Sequence, residues 1–325
     1  MKWNILCIKW QLLKPIDKST YITLIEDIMK TLIPNIILMI PFLLILFLLS
    51  IHRFYHKMRK KKNPFKDRLV RGPGASLLIR IDELSDRITA DTFSFGVIPI
   101  LAYAVFLTQA CFFDVSFSPV SIVFVALFVF FTMLYLGYST FKNLNLRRNY
   151  RLGLDGELYV GQELSCLMHQ GYCVFHDFPA DCFNIDHILV GPSGVYAVET
   201  KARQKPCTGN PSQDAAVSFN GHVLEFPKWK EIKPVDQAIR QAKWLANWLS
   251  SSVGEDISVR AILALPGWYV KRTSPDGIWV GNPKELRLSI PKQKHVLTQK
   301  QIKAICHQLE QKCRDVEPQI TVYYS

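Results

Sequence analysis

Apolar residues are unevenly distributed along this chain, and its two halves follow different periodicities. In the first half they form long uncharged runs. Residues 31–51 (TLIPNIILMIPFLLILFLLSI) carry no charge, and such a run matches the roughly 20 apolar residues that cross a bilayer. Pro34 and Pro41 within it are tolerated in a membrane span. Between residues 95 and 141 the only charge is Asp114. That stretch is too long for one span and predicts two, at 93–113 and 120–138, joined by the short turn DVSFSP. The expectation is an all-α transmembrane region of about three spans, preceded by a segment 1–30. The intervening loop, 52–92, has Leu78, Ile81, Leu84 and Ile88 at helical spacing, which predicts a short amphipathic helix at the membrane surface.

After Arg151 the pattern becomes that of a compact α/β domain. Leu154, Leu158, Gly161, Leu164 and Met168 predict a helix over 155–169, closed by Gly171. Residues 172–178 and 185–190 alternate as strands, Gly191-Pro192-Ser193-Gly194 is a turn, and 195–201 (VYAVETK) is the next strand. A hairpin is expected around Asn220-Gly221. A helix over 234–249 starts suitably on Pro234. Strands are expected at 257–265 and 278–280, and a last polar helix at 297–314. The domains therefore read as a membrane hairpin at 93–141, an α/β domain at 148–266 and a helical extension at 267–325.

Charge fixes the orientation. The net charge is +12, and nine of the Lys and Arg residues lie between His52 and Arg71 with a single acid, Asp67. A second basic loop, KNLNLRR, follows the last apolar run. Basic loops stay on the cytoplasmic side, so the reading is a multi-pass protein of the cell membrane with its second half in the cytoplasm. Lysines in 1–30 would then have to be translocated, and Met29 is a second candidate start. Eight cysteines show no CxxC pair and no zinc spacing, which argues against a zinc finger and suits a reducing compartment.

Candidate chemistry gathers at the end of strand 195–201. Glu199 and Lys201, two apart on a strand, share a face. A two-residue loop at Pro192-Ser193 puts Asp186 directly opposite Glu199, whereas a three-residue loop would put them on opposite faces. Facing carboxylates about 5 Å apart repel, and a divalent cation reverses that sign. Asp186 and Glu199 are thus a candidate Mg²⁺ (or Mn²⁺) pair, since Mg²⁺ takes one or two carboxylates with waters and phosphate. Glu157 lies on the apolar side of its helix, either as a satisfied structural group or beside the metal or the attacking water. Gln237 and Gln241 share one helix face. His187 points away from the pair and reads as structural, and Trp244 and Trp248 read as packing.

Gly153-x-x-Gly156-Glu157, Asn184-Ile185-Asp186-His187, Gly191-Pro192-x-Gly194-Val195, Glu199-Thr200-Lys201 and Pro234-x-x-Gln237-Ala238 together resemble the NERD (nuclease-related) domain, which is similar to the PD-(D/E)XK nuclease superfamily. The resemblance covers about 148–266. It implies a restriction-endonuclease-like mixed central sheet flanked by helices, with Asp186 and Glu199 binding the metal. It implies that Lys201 orients water and stabilises charge at the phosphate, that Glu157 is the helix acid, and that Gln237 is the later-motif glutamine with Gln241 its alternative. The expected function is membrane-anchored, metal-dependent hydrolysis of nucleic acid, DNA ahead of RNA. The alternative is an inactive nuclease-fold module that binds nucleic acid or a protein at the membrane. Phosphate contacts would come from Lys205, Lys228, Lys230, Lys233 and Arg240, with Gln241 beside them. Besides nucleic acid, the implied partner is the lipid bilayer; no oligomeric state is implied.

Overall fold

The computed structural model describes residues 67–112, 118–207, 214–275 and 277–316, with residues 40, 44, 45, 47–51 and 54 before them. The first expected span, 31–51, therefore falls largely outside the described residues, as does the whole of 1–30. Two long helices carry the other apolar runs: α1 (Ala75–Phe112) and α2 (Pro119–Ser165). Both are long and apolar enough to cross a membrane, and the most apolar stretch of each is almost entirely unburied. The expected amphipathic helix is not separate. Nothing between Ser76 and Phe93 ends a helix, so α1 runs from Ala75 through the apolar stretch. Likewise α2 continues through the basic KNLNLRR segment, which lacks Gly and Pro, into the helix that carries Glu157.

The chain divides into two compact units. The first holds residues 90–139, where the Ser139 hydroxyl donates to the Asp91 carboxylate at 2.8 Å. The second combines residues 67–89 with 140–316 among those described. Its centre is a five-stranded mixed sheet of β2 (Cys173–Pro179), β3 (Asn184–Gly191), β4 (Gly194–Thr200), β8 (Val259–Ala264) and β10 (Trp279–Gly281), in the order β10-β8-β4-β3-β2. β2, β3 and β4 are antiparallel; β4, β8 and β10 are parallel. A second sheet joins β5 (Ala216–Phe219), β6 (Leu224–Glu225), β7 (Lys230–Glu231) and β9 (Tyr269–Arg272). The β5–β6 hairpin turns at Asn220-Gly221 as expected, with the Asn220 side chain accepting from the His222 and Val223 N–H groups.

The period-2 alternation of β3 and β4 distributes their side chains over two cores. Ile188, Val190, Val195 and Ala197 pack with Leu245 and Leu249 of α3 (Lys233–Val253) and with Ile305 and Leu309 of α5 (Gln299–Cys313). Leu189, Tyr196 and Val198 pack with Val160 and Leu164 of α2 and with Leu286 of α4 (Pro283–Ser289). The result is a mixed sheet with helices on both faces. A short antiparallel pair, β1 (Leu69–Val70) with β11 (Arg314–Val316), joins the two ends of the unit's sequence.

His176 and His187 face each other across β2 and β3, with their Nδ1 atoms 2.8 Å apart and rings nearly perpendicular. This bond needs one ring protonated at Nδ1 and the other not. Burial holds His176 down at about 4, and burial with its neighbour's charge holds His187 well below the usual range. The unfolded chain takes up protons near pH 6.5 that the fold refuses, so stability is full above that pH and is lost as the pH falls towards 4. With Glu157→Gln and Asp186→Asn in place to remove opposing carboxyl titrations, the unfolding midpoint of the full chain in detergent should therefore drop between pH 7.5 and pH 5; equal midpoints would show that the pair is not held neutral.

Candidate active site

The site forms where β4 leaves the sheet. β4 is central, so all of its residues are buried. The Pro192-Ser193 loop has two residues, and the β3–β4 pairs run from Gly191↔Gly194 to His187↔Val198 in the register that such a loop demands. Beyond His187↔Val198 the side chain of Asp186 intervenes: its carboxylate accepts the Thr200 N–H at 2.7 Å. Asp186 is thereby drawn to the level of Glu199 and Thr200. β4 keeps its parallel pairing with β8 through Glu199↔Leu263 and Thr200↔Ala264, and the Lys201 N–H then donates to the Ala264 carbonyl.

Glu199 is 1% exposed. One of its oxygens is 2.5 Å from the Lys201 ammonium, and the other, Oε2, is buried with no hydrogen-bond partner. Glu157 reaches the same place from α2 and is itself buried. Gly156, the residue before it, allows the approach: a Cβ there would lie 2.8 Å from the Ala202 side chain. Asp186 is half-buried as a residue, with its carboxyl group enclosed.

Three carboxyl groups thus share a poorly solvated space with one ammonium. Burial, then the charges of Glu199 and Glu157, push the Asp186 carboxyl well above its usual range. Burial, then the charges of Asp177 and Glu199, push Glu157 up to about 7, with Lys201 and the Gly74 N–H acting against the shift. Desolvation and like charge both disfavour the anion, and such perturbed groups gather at functional sites.

The remaining expected residues spread around this centre. Gln241 is buried on α3; its Nε2 donates to the Asn184 carbonyl at 3.2 Å while Oε1 has no partner. Gln237 is half-buried one helical turn earlier. Lys205, Lys228, Lys233 and Arg240 are exposed, and Lys230 is engaged by Glu225. His187 is fully buried in its pair with His176, as a structural histidine should be. Asp177 and Asn184 join the site without having been singled out for it. Asp177 has φ 46° and lies in β2 between the His176↔His187 and Phe178↔Ile185 pairs. It accepts from Asn184 Nδ2 at 2.9 Å. A polar residue inside an alternating strand was the one available signal.

Among the described residues, no three His, Cys, Asp or Glu side chains form a complete metal cage. Mg²⁺ requires less, since it keeps several waters and uses one or two carboxylates with substrate phosphate. The partnerless buried oxygen of Glu199, beside an Asp186 carboxyl that is disfavoured as an anion, fits a partial site of that kind.

The family model of the nuclease-related domain (NERD) matches residues 152–266, which include Glu157, Asp186, Glu199, Lys201, Gln237 and Gln241. No curated protein and no solved structure matches the chain.

Carboxyls with raised pKa favour the fold below about pH 4.3, where the unfolded groups titrate, and lose that contribution as the pH climbs, for Glu157 through about 7. Removing one charge should relieve this. In metal-free protein at pH 8, Asp186→Asn should raise the melting temperature by roughly 2–4 °C for each kcal/mol of repulsion removed. Mn²⁺ should raise the melting temperature of the wild type and leave the variant unmoved; an equal response in both would remove Asp186 from the cation site.

Proposed function

We propose that this chain, whose residues 152–266 form a nuclease-related domain, is a membrane-anchored, metal-dependent nuclease that hydrolyses phosphodiester bonds, DNA before RNA. The observation that carries this reading is the arrangement at Glu199: a buried carboxylate with one oxygen on Lys201 and the other without a partner, next to Asp186. A carboxylate placed only for stability would satisfy both oxygens.

In this reading Asp186 and Glu199 hold Mg²⁺ or Mn²⁺. When bound, the cation lowers the pKa of a coordinated water and offsets charge on the phosphate. Lys201, a quarter exposed, orients the attacking water and stabilises the charge that develops on the phosphoryl oxygens. Glu157, held to about 7, exchanges a proton with that water near neutral pH. Gln241, fixed on the Asn184 carbonyl, or Gln237 one turn away, lines the cleft. Exposed Lys205, Lys228, Lys233 and Arg240 supply sequence-independent phosphate contacts. The fold is restriction-endonuclease-like, with 148–266 as its core and 267–325 as an extension. In this reading the domain lies on the cytoplasmic side of a region of about three spans, which the basic loops favour.

The test uses the full chain in detergent micelles with double- and single-stranded DNA and with RNA, in Mg²⁺, Mn²⁺ or EDTA. Cleavage should require the metal, and Glu199→Ala or Lys201→Ala should each lower kcat by at least about 100-fold. Binding of DNA by folded wild type without any cleavage would replace the enzyme by a tethered binding module. A fluorescent protein fused after Ser325, of a kind that matures only in the cytoplasm, should glow.

A further inference from the structure

The family match begins at residue 152, yet the face of α2 that bears Glu157 is covered by the first residues of α1 and those just before them. Gly153 and Gly161 flank Glu157 by about one turn each. A Cβ on Gly153 would meet the Leu77 side chain at 3.3 Å, and one on Gly161 would meet Pro73 at 3.2 Å. Between them sits Gly74, at φ +70° and against Leu154; a Cβ there would lie 3.7 Å from Glu157 Oε2, so its backbone backs onto that carboxyl group. The segment is pinned at both ends by a single acid. Asp177 accepts from the Ser76 N–H at 2.9 Å, the Ser76 hydroxyl at 2.7 Å and the Arg71 guanidinium at 3.1 Å. Arg71 turns its other nitrogens to Asp315, at 2.7 and 2.8 Å, and its N–H donates to the Cys313 carbonyl.

Asp177 reaches this set of donors from a left-handed backbone conformation that costs a non-glycine residue of order 1 kcal/mol and persists where surrounding contacts over-determine it. Its fourth donor, Asn184, is the residue whose carbonyl holds Gln241 and which stands two before Asp186. The pin therefore lies between the segment and the catalytic strand.

We propose that residues 71–76 are a positioning segment of the active site: by the close approach of Gly74 they confine the carboxylate of Glu157, and Asp177 fixes them by way of Ser76 and Arg71. The proposal rests on the nuclease reading for its kinetic consequence and stands apart from it for its docking geometry. Ser76, Arg71 and Asp177 act through Glu157 and touch neither metal nor phosphate.

The experiment measures amide hydrogen exchange, resolved to Gly74 and Ser76, and steady-state kinetics on the full chain in detergent micelles. In the wild type both amides should be protected. Glu157→Ala should speed exchange at Gly74 while leaving Ser76 slow. Ser76→Ala should speed exchange at both and lower kcat about tenfold with KM unchanged, and Ser76→Thr should restore both readouts. Unprotected amides in the wild type would overturn the proposal, as would a Ser76→Ala protein with a loosened segment and undiminished kcat. If the wild type cuts nothing but Gly74 still answers to Glu157→Ala, the nuclease reading fails and the docking of the segment on Glu157 is upheld.

Discussion

Three buried carboxyl groups facing one ammonium form an arrangement that cannot be neutral at physiological pH without help. Most of what surrounds Glu157, Asp186 and Glu199 can be understood as a response to that imbalance. The Thr200 N–H turns to Asp186, the backbone of Gly74 backs onto Glu157, and Lys201 takes one oxygen of Glu199. Of the carboxyl oxygens at this centre, the buried one left without a partner is Glu199 Oε2. A fold selected for stability alone would replace such a cluster with apolar residues, because unpaired buried charge is destabilising. Glu199 stands on β4, a strand buried along its whole length, where an oxygen without a partner is most costly.

The neighbouring acid Asp177 makes an instructive contrast. It is as buried as Glu199, yet four donors from Arg71, Ser76 and Asn184 surround it. Two kinds of buried acid thus stand side by side: one fully satisfied and holding the architecture, the other held unsatisfied. The difference lies in the hydrogen-bond inventory rather than in depth.

The register of β3 and β4 was legible because short-range rules determine it. A two-residue loop with Pro second and Gly fourth sets the pairing as far as His187↔Val198, and the Asp186 carboxylate then takes the Thr200 N–H. Gly153, Gly156 and Glu157 were visible as a motif, but only the folded chain shows what each glycine makes room for: Leu77 at the first and Ala202 at the second. The segment before α1 was not legible at all. Gly72, Pro73 and Gly74 read as a loop, and periodicity says nothing about a contact made across so many residues. Asp177 offered only the faint signal of a polar residue in an alternating strand, and its left-handed backbone conformation is visible only in the fold. The helix ends beside the apolar runs differ from the expectation for a simpler reason: a change from amphipathic to apolar spacing does not terminate a helix unless a breaker accompanies it.

The salt bridge between Arg71 and Asp315 joins residues 244 positions apart, and the β1–β11 pair beside it does the same. In sequence the two long apolar helices are therefore an insertion within the α/β unit. On the ribosome, Arg71 emerges long before its partner exists, and the apolar runs of α1 and α2 are made in between. The α/β unit cannot close until its final helix and strand have been made. Its closure therefore waits until both long apolar helices have left the ribosome.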